Sequence, residues 1–107
     1  MAAATSVVTE RGTRQFQGMF SEMWKVSCTL DTDSLADGAG VGDTVTVPGV
    51  ALGDMVLGVS HSIDTAGIVV HGYVSSANTV TLRFQNESGG PVNLGAATVR
   101  VIVGRVA

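Results

Sequence analysis

Two histidines, a single cysteine and a run of closely spaced aspartates are the residues of this chain whose types could do chemistry. His61 and His71 fall on what read as neighbouring strands, so a suitable register could bring two imidazoles to metal-binding distance. Two nitrogens are too few for a structural zinc site, and Cys28 has no second cysteine or histidine at the usual ligand spacing. Both histidines therefore read as surface or half-buried side chains. Asp31, Asp33, Asp37 and Asp43 crowd one segment and could offer oxygens to Ca²⁺, but the terminal Glu of an EF-hand loop is missing. GAGVGD at 38–43 looks like a phosphate-binding loop yet lacks the Lys-Ser/Thr pair that opens a helix, so it reads as a flexible connection between strands. Ser60 and His61 are adjacent in one strand and point to opposite faces, which makes no nucleophile–base pair. Aromatic residues are only 5% of the chain, too few to suggest the sugar platforms of a glycosidase. The expectation is a protein that is not an enzyme and needs no cofactor or metal.

What must such a chain be made of? Its 107 residues suit one domain with one core. Charged residues are 14% of the total, against roughly 25% in typical soluble proteins. A surface so short of charge relies on Ser, Thr, Asn and Gly, or is covered by other subunits. The net charge of −3 comes without any basic run. Nucleic acid is therefore not an expected partner, because phosphate contacts need clustered Lys and Arg. No apolar stretch approaches the roughly 20 residues of a membrane span, and the first residues lack the basic start and apolar run of a secretory signal. Neither a membrane nor export is expected. Cys28 lies inside an apolar alternation, where a buried thiol is the ordinary reading.

From Trp24 onward the side chains alternate with a period of two. Trp24, Val26, Cys28 and Leu30 share one face of a first strand, and Lys25, Ser27, Thr29 and Asp31 share the other. Residues 31–43 supply turn formers, and a short strand at 44–47 stops at Pro48-Gly49, a pair suited to a type II turn. Further strands are expected at 55–60, 68–75, 79–85 and 98–103, rich in β-branched residues that suit a pleated surface. The predicted fold is all-β, an antiparallel β-sandwich of jelly-roll or Ig-like form.

The first 23 residues differ, so the chain divides into an N-terminal arm or attachment segment at 1–23 and a β domain at 24–107. Phe16, Met19, Phe20, Met23 and Trp24 fall at i, i+3, i+4, i+7 and i+8, one face of a short helix. Arg14, Phe16, Gly18 and Phe20 also alternate in strand register, and an extended arm is the preferred reading. Aromatic and Met side chains are enriched at binding surfaces, which makes Phe16, Met19, Phe20, Met23 and Trp24 the candidate partner-binding residues. The alternative is that they close one end of the core.

TVTVPGVALGD, GYVSSANTVTLRFQNESGGPVNL and TVRVIVG, led into by CTLDTDSLADGAGVGD, together resemble a recurrent domain of tailed-bacteriophage virion proteins, most closely small head-decoration proteins. The resemblance spans roughly residues 28–103 and leaves the N-terminal segment outside. It implies a small β-sandwich made in the bacterial cytoplasm that assembles as a homo-oligomer, often a trimer, on the outer surface of the capsid. Its partner would be the major capsid protein, with no catalytic residues to carry over. Two rival roles are a receptor- or glycan-binding module of a tail or head fibre, with the loops after His61 and Gln85 as contact surface, and a tail-tube or connector subunit.

Overall fold

In the computed structural model, residues 3–12 and 18–106 are described. They form seven strands: β1 (Thr5–Arg11), β2 (Phe20–Thr32), β3 (Gly40–Thr46), β4 (Met55–His61), β5 (Ile68–Ser76), β6 (Thr79–Asn86) and β7 (Gly95–Val106). The chain is all-β, with two antiparallel sheets in the orders β1-β2-β7-β4 and β3-β6-β5. No helix occurs among the described residues.

Alternation explains why both sheets share one core. Trp24, Val26, Cys28 and Leu30 on β2, with Val99, Val101 and Val103 on β7, meet Val45, Val80, Leu82 and Phe84 from the smaller sheet, all nearly inaccessible to solvent. Lys25, Ser27, Thr29 and Asp31 turn outward, as the sequence pattern predicts. Pro48-Gly49 also behaves as expected: Gly49 has φ 98°, and the Val50 amide donates to the Val47 carbonyl at 3.4 Å.

Several boundaries move. β2 starts at Phe20, four residues before the expected strand, and β1 within segment 1–23 pairs with it, Arg11 opposite Trp24. Residues on both sides of position 23 thus share one sheet. The 31–43 segment is no flexible connection throughout, because its last residues form β3 and Asp43 is fully buried, accepting a 2.9 Å hydrogen bond from Thr32 Oγ1. β7 begins at Gly95 rather than 98, since each residue from Thr32 back to Lys25 finds a partner there.

The two ends of the body, whose longest extent is 45 Å, are closed differently. At the end holding residues 33–39, 62–67 and 87–94, Asn86 is the hub. Its Nδ2 donates to the Leu35 and Gly90 carbonyls at 2.9 and 2.8 Å, and its Oδ1 accepts from the Ser88 amide and hydroxyl. Its backbone adds bonds to Gly38 and Ala39. Buried polar groups must be paired, and one side chain here pairs the carbonyls of two loops.

Candidate docking surface

The opposite end is built around Trp24. Its indole ring is 1% exposed and its Nε1 donates to the Pro48 carbonyl at 3.1 Å. The guanidinium carbons of Arg11 and Arg105 lie 4.9 and 5.2 Å from the ring centroid, within cation–π range. Arg105 grips Asp54 with two 2.9 Å hydrogen bonds and donates a third to the Gly49 carbonyl. Arg11 donates to Glu22 at 2.8 Å. Asp54 is held below the usual carboxylate range, first by the Arg105 hydrogen bonds, with burial opposing and the Ala51 amide assisting.

Around this framework lies an apolar surface. Directly opposed residues share a sheet face, and Gly104 on β7 stands between Met23 of β2 and Met55 of β4. A Cβ at Gly104 would lie 2.7 Å from ring carbons of Phe20 and 3.4 Å from Leu57 Cδ1, so the ring rests directly on the backbone there. One step along, Phe20 opposes Val106, and two residues back lies Ile102. The outer face of the larger sheet is therefore apolar at the Trp24 end. It turns polar toward the other end, where Val8, Glu10, Lys25, Ser27 and Arg100 line a shallow open depression of about 280 Å³. Lys25 and Glu10 pair there at 3.7 Å on the exposed surface.

The candidate residues divide. Met19 is 69% exposed, while Phe20 and Met23 are half-buried on this outer face. Trp24 is buried in the core between the sheets. Phe16 lies outside the described residues. Sequence reasoning missed Leu52, Met55, Leu57 and Val106, all strongly exposed near the same end. Their strands were partly legible, but which face of β4 points outward depends on the register shift between Val56 and Gly58, which a plain alternation cannot reveal.

Residues considered for chemistry do not converge. His61 packs edge-on against Phe84, centroids 5.5 Å apart, and burial lowers its pKa. His71 lies on the other sheet, exposed and stacked on Tyr73 at 6.0 Å. Among the described residues no group of three His, Cys, Asp or Glu side chains could hold a metal ion. The aspartates of 31–43 are engaged separately: Asp43 with Thr32, and Asp37 accepting from the Gly89 amide at 3.1 Å. Cys28 contacts the Val99 carbonyl at 3.5 Å, and burial pushes its thiol pKa up, away from thiolate chemistry.

In comparison with known proteins, no family model, curated protein or solved structure matches the chain.

Proposed function

We propose that this is a non-enzymatic virion structural protein, a decoration protein that binds the outside of an assembled phage capsid as a homo-oligomer and stabilises it. The observation carrying this reading is the lengthwise polarity of the molecule. Of nine large hydrophobic side chains exposed among the described residues, Met19, Leu52, Met55, Leu57 and Val106 gather at the Trp24 end. Asp31, Asp33, Asp37, Asp64 and Glu87 sit at the Asn86 end, where loops 33–39, 62–67 and 87–94 hold no Lys or Arg and the Arg83 guanidinium reaches as far as Gly40. An apolar end suits burial against a protein lattice, and an acidic end suits solvent. The two sheets read as a β-sandwich, and the pairing of β2 with β7 and of β3 with β6 favours the jelly-roll form over the Ig-like one.

Docking on an assembled lattice alone stabilises it by mass action, and several contacts per oligomer multiply weak ones through effective concentration. The ionic framework behind the surface gives it a fixed shape, so little ordering entropy opposes binding. The test is to locate the chain in averaged electron images of the virions that carry it. Density over capsid subunits, with the Trp24 end inward, is expected. Density confined to the tail, or the acidic end inward, refutes the assignment.

A further inference from the structure

We propose that the free edge of β5 pairs with β5 of a second copy across a two-fold axis, joining two three-stranded sheets into one of six strands. Two open sheets must leave four edge strands, namely β1, β4, β3 and β5. An edge strand offers unpaired amides and carbonyls to any passing strand, and proteins blunt such edges with charges, bulges, kinks or coverage.

Three of the four edges are blunted. β1 carries Glu10 and Arg11, has Ser6 at φ 52°, and shifts register between Thr5 and Val8. β3 is partly covered, because Ala3 bridges Thr44 and the Ala4 amide donates to the Thr44 carbonyl at 2.8 Å. β4 shifts register in its middle, between Val56 and Gly58. β5 keeps its one register shift to its last residues, between Val74 and Ser76. Its residues IVVHGYVSS include no charge and no proline, and they pair with β6 without interruption from Ile68 to Val74. Val69 is 58% and Tyr73 44% exposed on its outer face.

A second copy is the occupant because the strand is self-complementary. A two-fold axis perpendicular to the sheet requires opposed residues whose numbers sum to an even value, so that both point the same way. Centring the pair on Gly72 sets His71 opposite the partner copy's Tyr73, extending the existing His71–Tyr73 stack into aromatic cross-strand pairs. No like charges meet across this seam. The antiparallel arrangement also keeps the two acidic loop ends apart, whereas a three-fold group with parallel axes gathers the acids together. The pairing is independent of capsid docking, which uses the outer face of the other sheet.

Light scattering and sedimentation of the full chain should give twice its 10.9 kDa mass. Val69→Lys with Tyr73→Lys should give a monomer of unchanged circular dichroism. An oxidised mixture of His71→Cys and Tyr73→Cys chains should form a disulfide-linked pair that neither variant forms alone, and this arm stands even if the lysine variant unfolds. A native monomer or trimer, a folded lysine variant that stays paired, or a mixture without the selective cross-link overturns the proposal.

Discussion

The Trp24 end and the Asn86 end solve the same problem with opposite materials. Each must close two sheets and satisfy the backbone groups of the loops that leave them. At the Trp24 end a large aromatic ring fills the gap, and charged side chains on its rim tie β1, β7 and the β3–β4 connection together. At the Asn86 end a buried amide side chain does the tying, joined by the Leu35–Val92 bridge and the Asp37–Gly89 hydrogen bond, and the charges in the loops are acidic. The two ends therefore tolerate different kinds of exposed surface. A rim braced by ion pairs can carry exposed Met and Leu without collapsing onto them, whereas acidic loops held by hydrogen bonds are best left in water.

Removing either hub should separate the two strategies by size. Trp24→Ala should have the largest effect, because loss of a buried aromatic costs about 3–5 kcal/mol; urea unfolding should show a collapsed midpoint or no folded state, and a near-native midpoint would demote the ring from its central place. Asn86→Ala follows, since it removes one of two donors from each of the Leu35 and Gly90 carbonyls and takes the acceptor from the Ser88 amide, at about 1–3 kcal/mol. Hydrogen exchange should rise first in residues 33–39 and 87–94, and uniform loosening would contradict the hub.

Acid should act on the Trp24 end through Asp54. Its folded pKa is depressed, so its contribution is fully present above the unfolded carboxyl value of about 4 and drains away as pH falls through the lower folded value. Asp54→Asn should therefore lower the melting temperature at neutral pH and flatten its decline below about pH 4. An unaltered acid slope would place the sensitivity elsewhere. Smallest of all in stability, Met55→Ser with Leu57→Ser should shift unfolding by no more than about 0.5 kcal/mol per site, as exposed substitutions do. The same variant should be lost from purified particles, and full occupancy would detach this surface from docking.

Legibility differed from residue to residue. The inward row Trp24, Val26, Cys28 and Leu30 was readable because burial of one strand face writes a period of two directly into composition. The strands near 55–60, 68–75 and 79–85 were readable for the same reason. β1 was not, since TSVVTER has an exposed, irregular edge whose few apolar residues carry no clean period. The helical spacing from Phe20 to Trp24 belongs to a strand: Phe20 and Met23, three residues apart, share the outer face because of a register shift between Phe20 and Glu22, and Trp24 faces inward. Spacing alone cannot register an inserted residue.

Local sequence on its own determined the strand-forming character of the body, the Pro48-Gly49 turn, the inward row of β2 and the shortage of charge, since each depends on neighbours a few residues apart. Only the tertiary structure decided that Gly104 lies beneath Phe20, that Arg11 and Arg105 both attend Trp24, and that apolar and acidic surfaces lie at opposite ends. Those arrangements join residues as much as 94 positions apart, from Arg11 to Arg105. They follow from which strands pair and in what register, and pairing is settled by the free energy of the whole packed core.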